Sequence, residues 1–448
     1  MKKLKFFWII IAIGLVIVWI NLLNPNLKIA TGYTAKYLCS YTYLSNIDTE
    51  NVIKALDFFP IKYISYEINK KEKKVEASLF GFISKQTATY YDMGLQCGCV
   101  LGTEPPKLNA YPKSQIKEQT KISDSLLWPR GQFLYDQDST SNTVQKLDKL
   151  LQKTLQENQA VFAIVVANDS TMLAEQYQIG VDKDSRLLGW SMTKTVGNAL
   201  SGILEKNQQF HLDQIQLLPE WENDIRKNIS LNNLLKMSSG LEWTEDYSKL
   251  SDVTRMLYLD VDFPSRAIRS PSVEAPDQKW YYSSGTSNIL SKIMRNTFDD
   301  DSQYSAFPYE SLFHRINMRS AVIETDNVGN FVLSSYCWAT ARDWTKLGML
   351  YLNRGNWFGD PIFSPDWVNY STTPVKNSDG KYGAQIWLNQ AGEYSSVPRE
   401  AYYADGYGGQ RVLIVPSENL VITILSGRQD DFDFNRFFQS VIACLEEQ

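Results

Sequence analysis

The sequence predicts a mixed α/β protein of the α+β type, in which an antiparallel sheet is flanked by helices and a helical subdomain is inserted mid-chain. Residues 143–156 have the spacing of an amphipathic helix and precede a strand of buried type at residues 160–169. Helical patterns dominate the middle of the chain. Near the end, residues 411–425 predict two strands joined by a Pro-Ser-Glu-Asn turn, and residues 430–447 predict a final helix.

The amino terminus, residues 1–25, predicts a membrane anchor or a signal segment. Three lysines precede an apolar run from Phe6 to Leu23, and its eighteen residues are about enough to cross a bilayer as a helix. No small-residue cleavage pattern follows, so we expect an uncleaved anchor at residues 6–23, with a cleaved signal as the alternative. The charge distribution places the bulk of the protein outside the cytoplasm, on the periplasmic or extracellular side. Cleavage would make it a secreted protein.

Residues 26–120 predict a separate extension and a linker. Apolar and polar residues alternate on both sides of a charged turn within residues 62–92, which indicates a β-hairpin. Residues 101–120 are polar and rich in proline, as is typical of a linker. The main domain is therefore predicted at residues 121–448.

Three of the five cysteines, Cys39, Cys97 and Cys99, fall in this extension. Cys97 and Cys99 lack the second ligand pair of a zinc site, so we expect no metal. In an oxidising compartment, a disulfide from Cys39 to either Cys97 or Cys99 is the favoured interpretation.

Charge and histidine content restrict the function. A net charge of -5 gives no basic surface for nucleic acid. The two histidines, His211 and His314, lie near no serine elbow, so a Ser-His-Asp hydrolase is not expected. A hydrolase built from this sequence needs a different base. Nothing in the sequence indicates a cofactor.

A serine and a lysine at helical spacing supply the alternative. Ser-x-x-Lys occurs at Ser114, Ser191 and Ser378, but only Ser191 stands at the start of an apolar helix. Residues three apart on a helix lie about 5–6 Å apart at Cβ, so Lys194 can reach the Ser191 hydroxyl. Lysine can activate a serine when desolvation lowers its pKa. An isolated match is more often a capping serine beside a surface lysine.

Two further motifs follow in the chain. Tyr282-Ser283-Ser284-Gly285 precedes another apolar helix, and Tyr407-Gly408-Gly409 precedes a strand. In this order and spacing the motifs resemble the serine β-lactamase and penicillin-binding superfamily over roughly residues 125–448. The match is closest to its class C-like branch, which includes esterases and aminohexanoate-oligomer hydrolases.

The resemblance implies a β-lactamase-like fold and a role for each matching residue. Ser191 matches the acylated nucleophile, Lys194 its proton partner, and Tyr282 the tyrosine that exchanges protons with the reacting groups. The backbone N–H groups of Ser191 and Gln410 match the oxyanion hole. The implied substrate-binding residues are Ser284, Tyr407, Gly408 and Gly409.

Two positions depart from the family pattern. Ser284 falls where many relatives have asparagine. Tyr407 falls where β-lactamases have the lysine of Lys-Thr-Gly, so the positive charge that attracts a substrate carboxylate is missing.

We therefore expect a serine hydrolase that cleaves a small-molecule or peptide-like amide or ester through an acyl-enzyme on Ser191. One alternative is a cell-wall D-Ala peptidase or β-lactam hydrolase, which Tyr407 disfavours. The other is a non-catalytic binding or sensor domain on the same fold. The sequence does not identify the substrate, because this fold supports many reactions.

Overall fold

The computed structural model describes residues 2–19, 24–45, 47, 52–53, 63–94, 96–108, 126–131, 142–428 and 432–446. Its first helix, α1 (Lys2–Val18), has exposed apolar side chains, including Phe6 and Trp8. None of the described helices is both long enough and apolar enough to cross a membrane. This does not support the predicted span at residues 6–23, of which residues 20–23 lie outside the described ranges.

The extension consists of one helix packed on a small sheet. Its elements are α2 (Asn24–Ser40), β1 (Ile64–Asn69), β2 (Lys74–Leu79), β3 (Ile83–Met93) and β4 (Gln96–Leu101). The four strands form an antiparallel sheet in the order β1-β2-β3-β4. The predicted hairpin is present as β1 and β2, with Ile64 opposite Leu79. Most of the predicted linker, residues 109–120, lies outside the described residues.

A disulfide joins the helix of the extension to its sheet. Cys39 at the end of α2 pairs with Cys99 on β4. Of the two partners that the sequence left open, the structure therefore uses Cys99. The side chain of Cys97 lies outside what the structure describes.

The main body begins with α3 (Asn142–Glu157), β5 (Val161–Ala167), β6 (Met172–Tyr177), β7 (Leu187–Leu188) and α4 (Thr193–Lys206). The inserted helical region follows as α5 (Leu231–Leu235), α6 (Asp252–Tyr258), α7 (Phe263–Ile268), α8 (Ser284–Arg295) and α9 (Asp301–Pro308). The chain then continues as β8 (Val322–Ile323), β9 (Cys337–Ala339), α10 (Ala341–Leu352), β10 (Asn356–Trp357), β11 (Asp360–Pro361) and α11 (Pro365–Thr372). The last elements are β12 (Trp387–Leu388), β13 (Tyr402–Gly406), β14 (Gln410–Val415), β15 (Leu420–Ser426) and α12 (Phe434–Glu446).

The central sheet is antiparallel and has the strand order β12-β13-β14-β15-β5-β6. The strands near the carboxyl terminus therefore join the one near residue 160, with Ile424 opposite Ile164. Alternate residues of β5 face opposite sides. Ile164 packs in the core that contains α3 and α12, whereas Val165 packs in the larger core that contains α4 and α10. Because helices cover both faces, β5 is apolar throughout, and the predicted α+β arrangement is confirmed.

Two parts of this framework converge next to the start of α4. The strand β12 pairs only with Tyr402 and Tyr403, so β13 extends past it to Gly406. A three-stranded sheet in the order β7-β9-β8 holds the chain that enters α4, with Leu187 opposite Ala339. The inserted helices contribute the amino terminus of α8 to the same region.

Candidate active site

Ser191 lies in a single 3-10 turn, Trp190–Met192, that leads directly into α4. This turn is named the nucleophile turn, after the role expected of Ser191. Thr193 stabilises it, because its Oγ1 donates to the Trp190 carbonyl at 2.6 Å and accepts from the Cys337 N–H at 3.0 Å. Trp190 has a φ of 47°, in the left-handed region that non-glycine residues rarely adopt. Such a conformation costs about 1–3 kcal/mol and persists only where the surrounding structure enforces it.

Two glycines allow β13 to approach this turn closely. A Cβ added to Gly189 would lie 2.2 Å from the Trp344 ring, and one added to Gly406 would lie 2.2 Å from the Gly189 carbonyl oxygen. Neither position can carry a side chain without displacing its neighbour. The end of β13, and with it the backbone leading into Tyr407, therefore lies against the nucleophile turn.

Lys194 is buried and directs its amine at Ser191. Its Nζ lies 3.0 Å from Ser191 Oγ, 3.0 Å from Ser284 Oγ and 2.9 Å from the Ser334 carbonyl oxygen. The side chain is only 2% exposed. The structure thus brings together three of the residues that the sequence singled out, and adds the carbonyl of Ser334.

Burial lowers the pKa of Lys194 from 10.5 to about 8, although the negative charges of Glu245 and Asp405 partly oppose this shift. A neutral amine has two N–H donors and one lone pair. Ser334 offers only a carbonyl acceptor, and the Ser284 hydroxyl can accept the second N–H. The lone pair then faces the Ser191 hydroxyl, which is the arrangement that a general base requires.

Tyr282 covers the same amine from the other side. Lys194 Nζ lies 4.7 Å from the centre of the tyrosine ring. Burial raises the pKa of Tyr282 well above its ordinary value, with further contributions from Tyr382 and Glu245. The phenol is therefore protonated at neutral pH and can act as a proton donor.

Glu245 is a part of the site that the sequence interpretation missed. It accepts the Ser284 N–H at 2.9 Å and the Ser284 hydroxyl at 2.5 Å. The Trp243 indole N–H donates to it at 2.6 Å and the Tyr247 hydroxyl at 3.3 Å. Its sequence signal is an acidic residue among aromatic ones in Trp-Thr-Glu-Asp-Tyr, residues 243–247.

The glycine motif forms the turn between β13 and β14. Gly408 and Gly409 have φ values of 78° and 92°, which glycine adopts readily. Gln410 pairs with Gly406 across the hairpin, and its side-chain amide exchanges hydrogen bonds with the backbone of Ser426 at 2.7 and 3.0 Å. The oxyanion role of the Gln410 N–H stays a prediction, since the structure shows this residue closing the hairpin.

Tyr407 extends from this turn onto Trp190, the residue before Ser191. Its ring stacks on Tyr247 at 5.2 Å between centroids and meets Trp190 edge-on at 5.4 Å. The side chain is 41% exposed, so it borders the opening of the site. Within the described residues, no group of three or more His, Cys, Asp or Glu side chains is arranged to hold a metal ion.

Comparisons with known proteins agree with this fold. A family model described as Beta-lactamase matches residues 147–439. A 6-aminohexanoate-dimer hydrolase from Paenarthrobacter ureafaciens is 21% identical over 320 residues, which cover 65% of this chain and 78% of that protein. Two solved structures share the fold, each with a TM-score of 0.55, 14% identity and coverage of 67% of this chain and 97% of the other. They are a family VIII carboxylesterase and a penicillin-binding protein homologue from Caulobacter crescentus.

Proposed function

Because this chain belongs to the beta-lactamase family and is a serine hydrolase, we propose that it cleaves an amide or ester through an acyl-enzyme formed on Ser191. One observation carries the proposal. A buried lysine of lowered pKa, Lys194, lies 3.0 Å from the Ser191 hydroxyl and has acceptors for its own protons. An amine in this state is a competent base near neutral pH, where an exposed lysine would be protonated.

The proposed acylation starts from neutral Lys194. As Ser191 Oγ attacks the substrate carbonyl carbon, its proton passes to the Lys194 amine and the carbonyl becomes an oxyanion. When the tetrahedral intermediate collapses, the leaving nitrogen or oxygen takes a proton from the Tyr282 hydroxyl, and the Lys194 ammonium replaces it. Both groups are then as they started, with an ester on Ser191.

Deacylation repeats these transfers with water as the nucleophile. The water gives a proton to the Lys194 and Tyr282 pair as it attacks the ester, and Ser191 recovers that proton when the acid product leaves. We propose the Ser191 N–H as one oxyanion donor. For the second, we favour the N–H of Tyr407 over that of Gln410, because the end of β13 lies against the nucleophile turn.

The substrate class follows from Tyr407. This residue borders the site with an uncharged ring where β-lactamases have a lysine. Substrates that depend on a cation for their carboxylate, such as penicillins, are therefore disfavoured relative to neutral amides and esters. The named relatives act on an aminohexanoate dimer and on carboxylesters, so a substrate screen contains both bond types.

Active-site labelling tests the proposal. A fluorophosphonate probe is expected to label the wild type, and mass spectrometry is expected to place the adduct on the peptide that contains Ser191. Ser191→Ala abolishes labelling. Ser378→Ala is the matched control, because Ser378 also begins a Ser-x-x-Lys sequence but donates to the Val375 carbonyl in a turn. Label that survives Ser191→Ala, or that disappears in Ser378→Ala, would contradict the assignment.

We further propose that the protein acts outside the cytoplasm. Support comes from the Cys39–Cys99 disulfide, since such bonds persist mainly in oxidising compartments. A carboxyl-terminal fusion to an alkaline phosphatase, which is active only after export, is expected to show activity. An inactive fusion that is fully synthesised would place the protein in the cytoplasm.

A further inference from the structure

The helix of the extension, α2, contacts the nucleophile turn directly. Tyr33 and Tyr37 lie one helical turn apart, and both stack on Trp190, with centroid distances of 6.4 and 6.1 Å. Trp190 immediately precedes Ser191, so part of the extension lies next to the residue proposed to carry the acyl group.

The same tryptophan connects α2 to the opening of the site. Trp190 is surrounded by Tyr33 on the extension and by Tyr247 and Tyr407 on the main body, and these three tyrosines are named the aromatic rim. Tyr33 also meets Tyr258 edge-on at 5.6 Å. Burial raises the pKa of Tyr33 well above its ordinary value, and Tyr37 and Tyr407 add to the shift. At neutral pH the Tyr33 ring is therefore uncharged.

A buried ion pair fixes α2 in this position. Lys36 Nζ lies 2.6 Å from Glu324 of the main body, and their side chains are 8% and 1% exposed. Glu324 also accepts hydrogen bonds from Ser40 Oγ at 2.8 Å, the Cys99 N–H at 2.7 Å and the Trp338 indole at 2.9 Å. Removing one partner of a buried pair leaves an uncompensated charge, so this contact strongly opposes undocking.

Close packing between α2 and α6 also keeps α2 docked on the main body. A Cβ added to Gly32 would lie 3.5 Å from the backbone and side chain of Tyr258 on α6. At the other end of α2, the Cys39–Cys99 disulfide ties the helix to its sheet. The helix is thus held both to its own sheet and to the main body.

We propose that α2 is one wall of the catalytic cleft and that Tyr33 selects substrates with a neutral, flat apolar acyl group. The inference rests on the proposed function of Ser191. Aromatic faces offer a large apolar contact area at little entropic cost, and they prefer offset or edge-on contact with another ring. An acyl group that bears a phenyl ring fits this surface better than a short or charged one does.

The test compares two esters with the same leaving group. The full chain is assayed with p-nitrophenyl phenylacetate and p-nitrophenyl acetate, and the ratio of their kcat/KM values is recorded. Tyr33→Ala is expected to reduce this ratio about tenfold, since changes of apolar contact in a binding pocket alter specificity by at least that factor. The loss appears mainly as a higher KM for phenylacetate, whereas the KM for acetate, whose acyl group has no ring, rises less.

Tyr43→Ala is the matched control. Tyr43 belongs to the same extension, but its ring packs on Tyr90 at 5.3 Å. It is expected to leave the ratio at the wild-type value. Tyr33→Leu keeps apolar volume without a ring and is expected to lie between wild type and Tyr33→Ala. It also serves if the alanine variant fails to fold.

Fluorophosphonate labelling separates the two proposals. Labelling of the wild type at Ser191, combined with an unchanged kcat/KM ratio in Tyr33→Ala and Tyr33→Leu, would overturn the proposal that α2 is a wall of the cleft. The proposed hydrolase activity at Ser191 would not be contradicted. An equal fall of the ratio in Tyr43→Ala would also overturn it, because the effect would then come from general loosening of the extension. A wild type without labelling or turnover would overturn both.

Discussion

Glu245→Gln removes the negative charge that acts most strongly on Lys194, without changing the size of the side chain. The negative charge of Glu245 stabilises the protonated form of Lys194 and so partly opposes the effect of burial. Its loss is expected to lower the pKa of Lys194 below about 8. Since the proposed mechanism needs the neutral amine, the variant is expected to stay active at lower pH than the wild type.

The magnitude follows from the hydrogen bonds between the two groups. Bonds of 3.0 and 2.5 Å through Ser284 Oγ place Lys194 Nζ within about 5.5 Å of the carboxylate. At an effective dielectric constant of about 20, this separation corresponds to about 3 kcal/mol, or about two pKa units. Glu245 is half-buried, so water screens part of this energy and we expect a shift of about one unit.

The assay is the pH dependence of kcat/KM for a neutral ester, which reports ionisations of the free enzyme. The wild type is expected to lose activity below a midpoint of about pH 8, and Glu245→Gln below about pH 7. At pH 7 the neutral fraction of Lys194 rises from about a tenth to about a half, so kcat/KM rises about fivefold. Glu242→Gln, at an exposed position nearby, serves as the control and keeps the wild-type midpoint.

The same variant has a separate effect on folding. A glutamine amide accepts through one oxygen only, so the N–H donors of Ser284 and Trp243 would face its NH₂ group. We expect a loss of about 1–3 kcal/mol in the free energy of unfolding, measured by denaturant titration. A midpoint that stays at the wild-type pH, or moves upward, would refute the assigned role of Glu245.

Three further outcomes are expected. Lys194→Ala and Tyr282→Phe each reduce turnover by about 10²–10⁴-fold. The double variant loses far less than the product of the two single losses, because the two groups share one proton. Multiplicative losses would contradict the shared proton transfer. Cys39→Ser combined with Cys99→Ser lowers the free energy of unfolding by about 4 kcal/mol, because the lost crosslink spans 60 residues. An unchanged denaturation midpoint would show that the disulfide does not stabilise the fold. Tyr407→Lys raises acylation by penicillins relative to neutral esters, and an unchanged ratio would mean that this position does not face the substrate.

The sheet and the catalytic pair could be predicted because their signals are local. Residues 161–167 are apolar throughout, and residues 412–415 and 420–425 are almost entirely so, since helices cover both faces of the sheet they form. Ser191 in the 3-10 turn and Lys194 in the first turn of α4 lie three residues apart on a continuous helical stretch, so the sequence spacing itself sets their separation. In both cases, a short segment contains most of the physical information.

Glu245 and α2 could not be predicted in this way. Glu245 acts through Ser284, 39 residues later, and the order of the chain does not show that these two segments meet. The stacking of Tyr33 on Trp190 likewise joins parts of the chain that no local pattern connects. The apolar run at residues 6–23 shows the opposite problem, because composition alone predicted a membrane span that the described helices do not support.

The burial of Lys194 has a consequence for the stability of the whole protein. Its pKa is 10.5 in the unfolded chain and about 8 in the folded one, so the unfolded state binds more protons between these values. Stability contributed by this group therefore rises as pH increases from about 8, until the buried tyrosines oppose it above about pH 10. Below pH 8 the folded protein carries the full penalty, about 3 kcal/mol. The penalty for burying Lys194 is therefore smallest in the alkaline range in which the proposed base is also neutral, so folding and catalysis respond to the same proton.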